Sequence, residues 1–409
     1  MNRLPIQFTL ILILLYSLSF STDAPDGFAS VSDKGLTTTT GGEGGETVIV
    51  NTLSDLQKYA SSSEPYIILV QGTIEAVPKG TNVNVKSNKT IVGLGNDATL
   101  YQGELHLVNV SNVIIRNLII RDSYVEGNYD CKDTDWDGIQ IDESHHIWID
   151  HCLLTHNCDG LIDLRKACDY VTVSWVHFSN HNKCFGVGWT DETDFRTTIH
   201  HCWFDSTNQR NPSFDMGIGH LYNNYVRKVS SYGNYARGEA RVVIENSVFE
   251  DSKNPVQADA TAKLFISGLQ FSRCTGTQTG NVSTPPFNPK DYYDYTLDKT
   301  SDVKNLVISG AGPQEWIGKQ YLPVNNRKIP ANPFLNAVSA SVSENRVISI
   351  KADITGRHRF KIYSPNGKIL KVFEGTNPSV YTCRVPSGGM YLISFQGEKH
   401  SHCKMVFAP

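Results

Sequence analysis

From about residue 85 the chain alternates apolar and polar positions with a period of two, in short bursts instead of long runs. Six bursts share one shape: "VIIRNLII", "IWIDHCLL", "VTVSWVHF", "TTIHHCWF", "GHLYNNYV" and "VVIENSVF". Superposing them puts Asn117, His151, Trp175, His201, Asn223 and Asn246 in one column, at spacings of 34, 24, 26, 22 and 23 residues. Period-two patterning in β-branched and aromatic residues predicts strands whose two faces differ. Irregular repeats in the twenties, with no helical periodicity between them, predict a parallel β-solenoid with one coil per repeat. Adjacent coils then lie one strand spacing apart, about 4.8 Å. The long first interval accommodates an inserted loop, "DSYVEGNYDCKDTDWDG".

The flanks differ in character. Residues 1–21 read as a secretory signal: Arg3, the apolar run "FTLILILLYSLSF", then small residues Ser19 and Ser21. That run is too short for a stable membrane span, and no later segment replaces it. Residues 22–320 hold the solenoid, and the Pro- and Asn-rich "YLPVNNRKIPANPFLN" (321–336) reads as a linker. Beyond it, "RFKIYSPNGKILKVFEG" predicts a hairpin turning at Asn366-Gly367, so residues 337–409 are expected to form a small β-sandwich.

Composition narrows the function. A formal net charge of −4 with no basic tract excludes nucleic-acid binding by bulk charge. The nine cysteines are odd in number and show no zinc spacing. Cys131, Cys152, Cys158, Cys168, Cys184 and Cys202 are expected to be buried or locally paired, and Cys383 is a candidate to bridge Cys403.

Coil spacing also gathers chemistry. Asp137 and Asp159 are 22 residues apart, Asp159 and Lys183 are 24, and Lys183 and Arg210 are 27. One period apart means stacked, so Asp135, Asp137, Asp159 and Asp163 should meet Lys183 and Arg210 on one outer face. Clustered carboxylates repel unless a hard cation joins them, and an oxygen-only set favours Ca²⁺ over zinc. Cations beside such a site suit a substrate that is itself a carboxylate, with β-elimination from a uronic acid as the matching reaction.

At these residues the chain resembles the pectate lyase superfamily, polysaccharide lyase family 1, from about residue 27 to 315. The carrying motifs are "GFASVSDKGLTTTTGGEGG", "DWDGIQIDESHHIWIDHC", "CDGLIDLRKACDYVTVSW", "NHNKCFGVG" and "QRNPSFDMGIGHLYNNY". The resemblance implies a right-handed parallel β-helix, an extracellular monomer, and cleavage of polygalacturonate or pectin to 4,5-unsaturated ends. It assigns Asp137, Asp159 and Asp163 to Ca²⁺, with Asp135 auxiliary. It makes Lys183 a substrate-binding lysine and Arg210 the base that takes the C5 proton. A free guanidinium has a pKa above 12, so the residues alone equally allow Arg210 to be an electrostatic clamp. One departure stands out: the family often places a second arginine five residues after the catalytic one, where this chain has Asp215. Partly methylated pectin therefore stays open as a substrate, and the alternatives are a pectin lyase acting on methylated pectin, against which the retained aspartates argue, and a non-catalytic pectin-binding β-helix. A β-helix glycosidase, with an acid/base carboxylate pair and saturated products, is disfavoured by the Lys/Arg pair. The C-terminal piece resembles sorting domains of secreted bacterial enzymes, with a spacer or carbohydrate-binding module as its rival.

Other polar residues have plainer readings. Asp142 and Asp150 suit turns or a polar ladder, His151, His200 and His201 suit packing, and Asn223, Asn224 and Asn246 suit stacked amides. Trp136 and Trp189 suit either sugar contact or loop packing. Asn88, Asn109 and Asn281 open glycosylation sequons.

Overall fold

The computed structural model describes residues 24–322 except Tyr129, and residues 338–408 except 344, 353–356, 365–367, 387–388 and 398–400. The expected signal at 1–21, most of the expected linker and the expected Asn366-Gly367 turn lie outside the described residues. Contacts divide the chain into two compact units, residues 1–322 and 323–409.

The first unit is a parallel β-solenoid of three sheets. Face one has eight strands, from Thr81–Asn84 to Val256–Ala258. Face two has ten, from Glu46–Val50 to Lys263–Ser267, and face three has nine, from Thr73–Glu75 to Gln270–Ser272. One coil shows the pattern: Ile139–Asp142 on face one, His145–Asp150 on face two, Leu153–Thr155 on face three. The column read from the sequence is the corner between faces two and three. Ile115, Ile149, Val173, Ile199, Leu221 and Ile244 pair in register, two residues before each column member. All six column residues take a left-handed backbone, φ between 39° and 58°. That conformation turns the chain through the corner, and asparagine tolerates it better than most residues.

Inward positions fill one continuous core. Val113, Ile115, Ile147, Ile149, Val171 and Val173 are fully buried, as are Phe178 and Phe204, whose rings stack at 4.7 Å. Burying each such side chain contributes about 1.5–3 kcal/mol. Polar side chains at the corners are also absorbed into structure. Asn223 Nδ2 donates to the Asn246 carbonyl at 3.1 Å, and Asn224 Nδ2 to the Ile199 carbonyl at 2.9 Å. Trp175 stacks on His201 at 4.3 Å and on His151 at 5.8 Å. His200 stacks on Tyr222 at 4.7 Å.

The ends and one side are covered. The helix Leu53–Ala60, capped by Thr52, buries Leu56 and Ala60 in the core at the first coils. The helix Thr300–Gly310 lays Val303 and Val307 against Tyr225 and Val248. No helix among the described residues is long and apolar enough to cross a membrane.

The second unit has a three-stranded antiparallel sheet (338–342, 347–352, 379–384) and a four-stranded one (358–363, 369–375, 389–397, 401–408). Ile348, Ile350, Phe360, Ile362 and Tyr391 share its small core. His358–Tyr363 pairs antiparallel with Ile369–Gly375, as the hairpin pattern requires. The Cys383–Cys403 bridge does not form: Cys383 is free, and the two cysteines lie on strands of different sheets. In the first unit a disulfide joins Cys131 to Cys158, while Cys152, Cys168, Cys184 and Cys202 are free and buried.

Candidate active site

The strand Lys183–Gly188 sits near the middle of face one, and its composition shapes the site. Phe185 and Val187 belong to the core, so the alternate positions Gly186 and Gly188 face outward with no side chain. In register, Gly186 lies between Asp163 and Ser213, and Gly188 lies beside Arg165. A Cβ at Gly186 would stand 2.0 Å from the Trp189 indole, and one at Gly188 would stand 2.8 Å from Asp215 Cβ. Trp189 and Asp215 fill the space these glycines leave, and beside them opens a cleft of about 380 Å³, lined by Asp135, Asp159, Asp163, Lys183, Trp189 and Arg210 among others.

Five of the six expected residues line this cleft, and the sixth, Asp137, is buried next to Asp163 and Gly160. They come together by a route that differs from simple stacking. Gly160, and not Asp159, pairs with Lys183, which bridges onward to Gln209. Two residues separate Lys183 from Gly186, whereas three separate Gln209 from the matching Ser213. The surplus residue is Arg210, in a left-handed conformation with φ 59°. This is a bulge, and it turns the arginine out of the strand's alternation and into the cleft.

The aspartates divide into buried and engaged members. Asp137 is fully buried; its Oδ1 accepts from the Gly160 amide at 2.5 Å, while Oδ2 has no partner. Asp163 is buried with Oδ1 likewise unpartnered. Burial holds the Asp137 carboxyl well above the usual carboxylate range, reinforced by Asp163, Glu104 and Asp159. Burial lifts Asp163 to about 7, against the pull of Arg210. Asp159 is raised by burial too, with Lys183 opposing. Its Oδ1 accepts from Lys183 Nζ, whereas Asp135 is held by Arg165 Nη1 at 3.1 Å. Among the described residues no three carboxylate, imidazole or thiol side chains stand ready as a metal cage. The two orphaned oxygens of Asp137 and Asp163, in an oxygen-only set, nevertheless fit a hard cation, since unpaired buried carboxylates are otherwise costly.

The two cations stand on adjacent coils. Lys183 Nζ also reaches the Asp130 carbonyl at 2.6 Å and its carboxylate at 3.1 Å. Arg210 lies over the Trp189 ring, 5.1 Å from its centroid. Asp215 does not present a bare negative charge: Arg237, 22 residues on, is ion-paired with it. The position that lacks a second arginine thus carries one from the following coil.

Several residues escaped the sequence reading. Glu104 is buried beside the aspartates and pushed up to about 9, by burial and then by Asp135. Arg165 ties Asp135 to Asp142, at 3.1 and 2.7 Å. Asp130 gave no signal, because its partner lies 53 residues away, whereas the 22 residues between Asp215 and Arg237 are one coil period and could have paired them. The plainer readings hold elsewhere. Asp150 is buried against Arg116 at 2.9 Å and His151 at 2.7 Å, and Trp136 packs on Gly80. The sequon residues Asn88 and Asn281 spend their side chains on internal hydrogen bonds.

Comparison with known proteins meets this geometry from outside. A family model described as pectate lyase matches residues 4–316. The pectate trisaccharide-lyase of Thermotoga sp. (strain RQ2) is 36% identical over 326 residues, covering 71% of this chain and 89% of its own. That of Bacillus licheniformis is 35% identical over 305 residues, covering 70% and 85%. Among solved structures, a pectate lyase from Bacillus sp. N165 in complex with trigalacturonate superposes with a TM-score of 0.59 at 27% identity, over 71% of this chain and 98% of its own. The chain therefore belongs to the pectate lyase family and is a polysaccharide lyase.

Proposed function

We propose that the protein is a secreted, Ca²⁺-dependent pectate lyase, cleaving α-1,4-linked galacturonan by β-elimination to leave 4,5-unsaturated oligogalacturonates. The observation that carries this reading is the convergence of Lys183 and Arg210 on a cleft lined by Asp159 and Asp163, with the orphaned oxygens of Asp163 and its buried neighbour Asp137 close by. Asp137, Asp163 and Asp159 would hold the metal, with Asp135 at the rim. When bound, Ca²⁺ supplies positive charge that draws electrons from the carbon next to the uronate carboxylate.

The chain's own groups do the rest. Lys183, released from Asp130, pairs with the substrate carboxylate and offsets the enolate-like charge that develops on it. Arg210, steadied on the Trp189 face, takes the C5 proton onto a deprotonated guanidine nitrogen while the C4–O bond breaks and water protonates the leaving oxygen. Arg237 neutralises Asp215, which favours an acidic substrate over a fully methylated one. Secretion rests on the residue 1–21 pattern.

Product absorbance in the ultraviolet tests the proposal, on polygalacturonate and on methylated pectin, each with and without a chelator. Unsaturated products from polygalacturonate, abolished by chelation and restored by added Ca²⁺, are expected. Undiminished turnover under chelation, or saturated ends, would overturn it.

A further inference from the structure

A second trough runs along the solenoid behind the ridge that carries Lys183. On consecutive coils the strands of face three end in a left-handed residue: His156, Asn180, Ser206 and Lys228, with φ between 47° and 57°. The coil-to-coil bonds from Asn180 to Asp205, from Ser206 to Arg227 and from Lys228 to Glu250 hold them in a row. A second row follows two residues on. Asn208 Nδ2 donates to Asn182 Oδ1 at 2.8 Å, and Ser230 Oγ donates to Asn208 Oδ1 at 2.7 Å. Together the rows line a cavity of about 420 Å³, as large as the cleft over Arg210. Tyr124 joins the lining, its ring stacked on His156 at 4.6 Å.

The two cavities differ in charge. The cleft gathers Lys132, Arg165, Lys166, Lys183 and Arg210. The trough offers amides, hydroxyls and an aromatic face, with Lys228 as its single ammonium. His156 is paired with Asp122, and burial pushes His181 down to about 4. The Asn180 amide, the Tyr124 hydroxyl and Lys228 Nζ have no hydrogen-bond or ion-pair partner among the described residues. Paired donors and acceptors beside an aromatic ring are the means by which proteins hold hydroxyl-rich rings. From His156 to Lys228 the row spans three coil steps, roughly 14 Å, room for a short run of sugars.

We infer that this trough binds a neutral glycan strand, at a site distinct from the cleft and independent of the lyase reaction. Asn182 stands in its wall and directly precedes Lys183, so the two sites share one ridge. A branched polymer whose acidic backbone enters the cleft can then rest a neutral branch in the trough.

Calorimetric titration of the full chain carrying Arg210→Ala tests the inference, with β-1,4-galactotriose and, separately, trigalacturonate plus Ca²⁺. Galactotriose is expected to bind. Adding Tyr124→Ala and Asn180→Gly should weaken it at least tenfold while leaving trigalacturonate affinity unchanged. Asn180→Gly keeps the left-handed backbone, and an unaltered melting temperature shows that the fold survives. Lys228→Ala, at an exposed position, gives an independent second variant with the same expected direction. Absence of galactotriose binding at millimolar concentration would overturn the inference. So would binding untouched by both variants, or an equal loss for both sugars.

Discussion

At the residue scale, the site depends on groups kept from their easiest partners. Arg210 rests on an indole and not on a carboxylate, and Asp137 and Asp163 each keep a buried oxygen unpaired. Arg210→Ala is expected to lower kcat by about 10³-fold, in the range of a lost proton-transfer group. The same variant should move the melting temperature little, since the side chain carries no core packing; retained turnover would remove Arg210 from the mechanism. A second residue responds to pH. His177 stacks on Trp203 at 4.1 Å, and burial holds it down at about 4, with Asp205 raising it and Arg227 lowering it. The unfolded chain takes up this proton near 6.5 and the folded one only near 4, so stability falls as pH drops through that window. The loss is about 3 kcal/mol at one end relative to the other. His177→Phe should flatten that part of the stability–pH curve measured by urea unfolding; an unchanged slope would show that His177 is not responsible.

At the scale of elements, the inserted loop and the coils beneath it act together. The Cys131–Cys158 disulfide closes a segment with 27 residues of separation and anchors the loop that brings Asp130 to Lys183. Reduction is expected to cost about 3.5 kcal/mol by chain entropy. It should also lower activity before far-ultraviolet dichroism changes, because the loop is freed while the sheets persist; simultaneous loss of both would refute this. The repeat was legible because each corner demands a left-handed residue after a strand, and that demand recurs in Asn117, His151 and Asn223. That Asp135, Asp159, Asp163, Lys183 and Arg210 come together was legible for the same reason. The internal pairing of the site was not. Spacing counts put Asp159 level with Lys183, but the ladder puts Gly160 there, and no periodicity reveals a one-residue bulge. Arg237 stands level with Asp215, as the pairing of Phe214 with Ala236 requires, at the same 22-residue spacing that separates Asp137 from Asp159. Glu104 sits on a strand two coils before Asp163, among aliphatic neighbours that suggest nothing but core.

At the scale of the molecule, the first unit carries its own core, cleft and trough, and the second has a separate core. A chain ending at residue 322 should therefore keep full lyase activity on polygalacturonate; loss of turnover in a folded truncation would assign the second unit a part in catalysis. A solenoid of this kind accepts or loses a whole coil with modest disturbance, since each coil touches only its neighbours. Single residues are another matter where the surplus at 210 lies. Deleting Gln209 or Asn211 would even out the count against the preceding strand and swing the arginine toward the hydrocarbon interior. Evolution of this surface is then tolerant of loops lengthened by many residues yet intolerant of one residue removed. Insertions and deletions near the cleft, more than substitutions, decide which descendants of such a chain still cut.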